Sequence, residues 1–179
     1  MNQQGNTYFY LKQSPKNFKY LWAIFTKFSH YCASYPSIST TNVKGKQYYS
    51  VAFKTRSFPF LSQWYKIFYT TEGRKIINTT VIYHLMTYEA LAHWIMGDGN
   101  KLGTGLILNT QSFTVKECTA LISILNYKFG LQCNMYMQRG LPVIYITGKS
   151  MRRIKTQIMP FIIPSMSYKL HNWKNKTKF

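Results

Sequence analysis

Apolar residues recur along this chain with two periods, and the switches between them mark out its elements. Thr7 to Lys12 (TYFYLK) reads as a strand. From Pro15 the spacing changes: Phe18, Leu21, Trp22, Phe25 and Phe28 recur every three to four residues, one side of a helix, with Pro15 suited to its first turn. Ser37 to Val43 and Gln47 to Lys54 flank Lys44-Gly45-Lys46 as the strands of a β-hairpin, and a helix closes this half near Ser57 to Tyr69. The order then repeats. Gly103 to Ser112 (GTGLILNTQS) shares with Gly5 to Ser14 (GNTYFYLKQS) a glycine, a short apolar strand and a Gln-Ser ending, so the copies lie about 98 residues apart. Thr114 and Glu117 form a capping box ahead of Leu121, Ile124, Leu125 and Phe129. Leu131 to Gln138 and Leu141 to Thr147 flank Arg139-Gly140, and a helix is predicted near Ser150 to Met159. Leu131, Cys133, Met135 and Met137 alternate with Gln132, Asn134, Tyr136 and Gln138, which predicts a sheet with one buried and one polar face. Each copy is strand, helix, hairpin, helix.

One helix belongs to a single copy. Thr87 to Asp98 (TYEALAHWIMGD) has a capping Thr, an early Glu, small Ala90 and Ala92, large Leu91, Trp94 and Ile95, and a Gly97-Asp98-Gly99 ending. Asp98 lies 13 positions before Gln111, and the same count back from Gln13 falls just before residue 1. The first copy is therefore expected to begin after the place where its own helix would end. The expected halves are 1–86, lacking that helix, and 87–179, which carries it over 87–99 and ends in a basic tail.

Charge narrows the partners. The chain has 23 Lys and Arg against four acids, Glu72, Glu89, Asp98 and Glu117, for a net charge of +19. Repulsion on that scale calls for a polyanion. The cations are scattered through strands and loops and do not line one amphipathic helix, which excludes a membrane surface and favours nucleic acid. Fifteen Tyr and four Trp add stacking surface suited to RNA or single strands. Cys32, Cys118 and Cys133 lack pairing or zinc spacing, so free thiols in a reducing compartment are expected. No membrane span or presequence is legible. Abundant Lys, Asn, Ile, Phe and Tyr fit an A+T-rich, organelle-encoded gene, and hence the mitochondrial matrix.

The run Leu91-Ala92-His93-Trp94-Ile95-Met96-Gly97-Asp98-Gly99 resembles the signature helix of the LAGLIDADG homing endonucleases and intron maturases, and Pro164 to Leu170 (PSMSYKL) is similar to the domain end of their organellar branch. The resemblance implies an α+β fold: a pseudo-twofold repeat whose antiparallel sheets form a saddle backed by helices, here with the first motif helix missing. In that family, small residues let two such helices meet while their terminal acids converge on Mg²⁺ for in-line attack on a phosphodiester. The resemblance makes Asp98 one catalytic acid and a weak Mg²⁺ ligand. Met96 stands where the archetypal motif has an Asp, and His93 is read as a packing residue. Without a partner helix, the Leu91, Trp94 and Ile95 surface predicts a bound protein or RNA. The saddle contacts expected are Tyr8, Tyr10, Lys12, Lys44, Lys46, Lys54, Arg56, Lys101 and Arg139. Lys149, Arg152, Arg153, Lys155, Lys169, Lys174, Lys176 and Lys178 extend the basic surface beyond it.

Two functions compete at this point. A lone acid, few other acids and cations on every side favour a protein that has lost cleavage, needs no cofactor and binds RNA in preference to DNA, as a structural component on mitochondrial ribosomal RNA. The alternative is an active homing endonuclease using Mg²⁺ as a dimer or with the first motif supplied in trans, or an intron maturase.

Overall fold

A computed structural model describes residues 6–170. The chain divides into two compact units, Met1–Ile67 and Phe68–Phe179.

The first unit comprises β1 (Tyr10–Gln13), α1 (Phe18–Phe28), β2 (Ser37–Val43), β3 (Lys46–Lys54) and most of α2 (Pro59–Phe68). Its sheet is antiparallel in the order β1-β3-β2. The β2–β3 turn has Lys44 and Gly45 at φ 50 and 77, the left-handed pair that a tight hairpin requires. Period 3.6 puts Leu21, Ile24 and Phe25 of α1 on one side, and period 2 puts Val51 and Phe53 of β3 on one face; both sets are buried. Aromatic contacts fill this core: Phe9 stacks on Phe28 at 4.8 Å and Phe25 meets Phe53 edge-on at 5.5 Å.

The second unit comprises α3 (Thr79–Leu85), α4 (Tyr88–Asp98), β4 (Gly99–Leu102), β5 (Gly105–Leu108), α5 (Val115–Phe129), β6 (Cys133–Gln138), β7 (Leu141–Ile146) and α6 (Gly148–Ile158). Its sheet order is β4-β5-β7-β6, so β5, β7 and β6 take the places that β1, β3 and β2 hold in the first unit. That correspondence bears out the repeated order of elements. Leu106, Leu108, Ile144 and Ile146 are fully buried on one face, beneath Leu121 and Leu125 of α5 and Met151 and Ile154 of α6. The two predicted caps are in place: Thr87 Oγ1 accepts Ala90 N–H at 3.1 Å and the Thr114–Glu117 box is complete; Gly130, in addition, ends α5 at φ 61.

Three features were not legible in the pattern. Residues 68–86 pack with the second unit and contain α3 and a small hairpin at Tyr69–Lys75. α3 is too short for a helical period to show. β4 (GNKL) leaves α4 without a linker and has too few apolar positions to alternate.

Candidate active site and nucleic-acid face

The C-terminal end of α4 is held from several sides. Gly99 N–H donates to the Ile95 carbonyl, and a Cβ at Gly99 would collide with that same carbonyl, so only glycine can follow Asp98 here. Asn109 donates its backbone N–H (3.0 Å) and its side-chain amide (2.8 Å) to the Asp98 carbonyl. Met96 is fully buried and its sulfur accepts Ile163 N–H at 3.4 Å. The last turn of α4 has no basic residue of its own. Lys169 supplies one from the 3₁₀ turn Pro164–Lys169: only 7% exposed, its ammonium donates to Met96 O at 2.6 Å and Ile95 O at 3.3 Å. A cation on those carbonyls complements the negative end of the helix dipole.

Asp98 keeps an exposed side. Desolvation by the surrounding protein pushes its carboxyl above the usual range, against the pull of the nearby Lys75 and Lys169 charges. Burial likewise lowers Lys169, and Asp98 opposes that shift. The Lys169 ammonium thus caps the helix that ends in Asp98, and the charge of Lys75 acts on the same carboxyl without an ion pair between them. Lys75 was not singled out in the sequence, although the glycine of Gly73-Arg74-Lys75 is a turn signal; Gly73 has φ 81. Among the described residues no group of three or more His, Cys, Asp or Glu side chains could hold a metal ion. A divalent cation here would have Asp98 as its side-chain ligand and complete its shell with water and phosphate oxygens, which suits Mg²⁺.

Each sheet has one helix-covered face and one open face. Cross-strand pairing puts Tyr10 beside Lys54 and Lys12 beside Ala52, so Tyr10, Lys12, Lys46 and Lys54 share the open face of the first sheet. Tyr8, Lys54 and Arg56 also line a cleft of about 480 Å³ with Ser34 and Ser57. Lys44 sits in the hairpin turn. In the second sheet, Asn134 pairs with Tyr145 and Tyr145 with Ile107, which places them on its open face with Tyr136. Gln111 joins Asn109 and Gln138 by amide hydrogen bonds of 3.3 and 3.2 Å, beginning beside Asp98. Arg139 lies in the β6–β7 turn at φ 53.

Several expected positions are corrected by this geometry. Leu91 and Ile95 form no exposed surface: both are fully buried, because α4 turns Leu91, Ala92, Ile95 and Met96 into its own unit's core. The outward side is Ala90, His93, Trp94 and Gly97, with His93 3.8 Å from Glu89. Lys101 pairs with Leu106 and so points to the side of the sheet opposite the open face. Lys169 is buried as a helix cap. The Arg153 guanidinium donates to the Phe129 and Gly130 carbonyls and closes the end of α5. Lys149 and Arg152 are exposed on α6, Lys155 is half-buried there, and Lys174, Lys176 and Lys178 lie outside the described residues.

Residues 1–154 match the model of the LAGLIDADG DNA endonuclease family. The chain belongs to this family. It is 31% identical over 176 residues to a probable intron-encoded endonuclease 1 of Wickerhamomyces canadensis, covering 92% of this chain and 74% of that protein. It is 32% identical over 147 residues to a cytochrome b mRNA maturase bI2 of Debaryomyces hansenii, covering 80% and 55% respectively. The homing endonuclease I-WcaI bound to its DNA recognition sequence superposes with a TM-score of 0.88 at 28% identity, covering 95% of this chain and 77% of that one. I-DmoI in complex with DNA and Mn shares the fold, at a TM-score of 0.50 and 13% identity over 86% of this chain and 81% of that one. LAGLIDADG relatives of this chain are thus endonucleases and maturases. A ribosomal component and a preference for RNA over DNA find no support among them, and the endonuclease or maturase alternative does. No helix among the described residues is long and apolar enough to cross a membrane.

Proposed function

We propose that this chain is an intron-encoded, mitochondrial LAGLIDADG endonuclease that binds duplex DNA on the open faces of its sheets and brings Asp98 to the scissile phosphodiester. The observation that carries this reading is the exposed Asp98 at a rigidly held helix end, its carbonyl bound by Asn109 and the two carbonyls of Ile95 and Met96 capped by the buried Lys169. Asp98 offers a carboxylate held at its backbone by Asn109. Lys169 is spent on the carbonyls of Ile95 and Met96 and so fixes the helix end itself, while the exposed Lys75 adds positive charge in the surroundings of the carboxylate. Bound Mg²⁺ would supply Lewis acidity and a lowered pKa for attacking water. The amide row Asn109, Gln111 and Gln138 continues the site along the open face, with groups able to read base edges. The other three acids do not complete a two-carboxylate site: Glu89 pairs with His93, Glu117 caps α5 and Glu72 is exposed. The second carboxylate of a two-acid mechanism would come from another polypeptide segment or a second copy.

The test is selection of a duplex from a randomised library by the purified chain, followed by Mg²⁺-dependent nicking and by Mn²⁺ titration read by paramagnetic resonance. Asp98→Asn should abolish nicking, by about a thousandfold or more, and weaken Mn²⁺ binding while leaving duplex affinity within about twofold. Equal affinity for RNA and DNA, with Mn²⁺ binding indifferent to Asp98→Asn, would sink the reading.

Maturase activity is the second reading, and one observation favours it. Lys149 and Arg152 stand on the water-facing side of α6, whose other side packs on the covered face of the sheet, so a duplex on the open face leaves them free for RNA. A Lys149→Glu/Arg152→Glu double variant that lost RNA affinity and kept DNA affinity would support it.

A further inference from the structure

A groove of about 490 Å³ runs between α3 and α5, on the side of α5 turned away from the sheet. Helical period sets that direction: α5 turns Leu121 and Leu125 into the core over the sheet, which leaves Ala120, Ser123 and Tyr127 on its outer side. The volume falls within the range of about 300–1,000 Å³ usual for clefts that take a small organic group. Ala120 and Ile124 form the floor, Thr79 and Ser123 bring hydroxyls, and the rings of Tyr83 and Tyr127 stand 5.8 Å apart at 56°.

The groove is a poor seat for an apolar helix, because Ile124 is only 4% exposed and Ala120 is small, so little aliphatic surface is offered. What lies open is aromatic, with Tyr127 79% exposed. Positive charge borders it. The Lys128 ammonium sits 4.9 Å from the centre of the Tyr83 ring and donates to the Tyr83 carbonyl at 2.6 Å, which holds it in place with N–H donors still to give. Lys116 lies exposed one turn before Ala120 on the same stripe of α5. Among the described residues no acid lines the groove. Glu117, beside Lys116, is engaged elsewhere: Oε2 accepts the Thr114 N–H and hydroxyl at 2.7 and 2.8 Å, and Oε1 accepts Ile77 N–H at 3.1 Å. Burial works to raise its carboxyl, but the Thr114 and Ile77 hydrogen bonds and the Arg74 charge leave it below its ordinary value.

Open aromatic faces beside cations suit an unpaired nucleotide, whose base stacks while its phosphate meets the ammonium. The hydroxyls favour ribose: Ser123 donates its own hydrogen to the Thr119 carbonyl at 3.1 Å and so offers an acceptor to a 2′-OH, which deoxyribose lacks. We propose that the α3–α5 groove binds an unpaired nucleotide of RNA, its base stacked on Tyr127 and its phosphate held by Lys128. The proposal extends the maturase reading, and it is independent of cleavage at Asp98.

The test uses the full chain with a short oligouridine RNA, the matching oligodeoxyuridine and a mixed-sequence DNA duplex. Tyr127→Ala should weaken RNA binding about tenfold, the loss of one stacked base, and leave duplex binding within about twofold. The side chain is largely exposed, so its removal spares the core. Tyr127→Phe, which keeps the ring, should bind RNA as the unsubstituted chain does. Lys128→Ala should reduce the slope of log RNA affinity against log salt by about 0.7, for one phosphate released. Ultraviolet crosslinking of a thiouridine-bearing RNA should attach the base at Tyr127 or Tyr83. Unchanged RNA affinity in Tyr127→Ala, or equal losses for RNA and duplex, overturns the proposal. An oligodeoxyuridine that binds as tightly as the RNA and is weakened as much by Tyr127→Ala overturns the assignment to RNA. Failure of the unsubstituted chain to nick DNA would count against the Asp98 reading alone.

Discussion

Strands β1-β3-β2 of the first unit and β5-β7-β6 of the second follow the same order, yet their open faces carry different chemistry. The first shows Lys12, Lys46, Lys54 and Arg56 among tyrosines. The second shows Asn134, Tyr136 and Tyr145, with the amide row Asn109, Gln111 and Gln138 beside Asp98. Cations neutralise phosphates without reading sequence, whereas amides match the donor and acceptor patterns of base edges. One scaffold used twice thus carries cations on its first sheet and amides beside Asp98 on its second, a division that the proposed function would use for grip and for reading. The cores differ as well: the first unit's mixes the rings of Tyr20, Phe25 and Phe53 with aliphatic side chains, whereas the second's is built mainly from Leu, Ile and Met.

The largest effect tests the core contrast. Phe25→Ala removes a ring that is 5% exposed and packed against Phe53, and should cost about 3–5 kcal/mol. Amide exchange should then rise through Met1–Ile67 well before the second sheet, and a uniform rise across both units would erase the distinction. Next comes grip. Lys54→Ala/Arg56→Ala should weaken duplex binding for every sequence alike and reduce the slope of log affinity against log salt by about 0.9 for each phosphate no longer neutralised. A sequence-dependent weakening would show that the first sheet reads bases too. Asn134→Ala is the smaller, complementary change: it should relax preference at one base pair by about 1–3 kcal/mol and leave the salt slope alone. The smallest effect is in acid. Glu117 titrates below its ordinary value in the fold, so its contribution is present above the unfolded carboxyl's range, near pH 4.5, and is lost as pH falls through the folded value. Acid unfolding of Glu117→Gln should lack that component, worth about 1 kcal/mol or less because the group is a surface cap.

The site was only partly legible in the sequence. Asp98 could be found because a capped helix ending in Gly-Asp-Gly is a local pattern. Lys169 reads in the sequence as one more phosphate-binding charge, because no local rule shows that a cation 73 residues after Met96 will fold onto the carbonyls of Ile95 and Met96. Leu91 and Ile95 were assigned to the wrong side of α4: helical period groups residues into faces, but packing decides which face turns inward.

Local pattern specified the elements, their caps and turns, and the doubling of strand, helix, hairpin and helix, and a net charge of +19 calls for a polyanionic partner. All of these follow from period, propensity and net charge, which act over a few residues or over the chain as a whole. Tertiary packing alone sets which strand faces are open, that Lys169 caps the helix ending in Asp98, and what Glu117 holds with its second oxygen. The last two depend on pairings between residues 40 to 74 positions apart, which exist only once the second core has assembled.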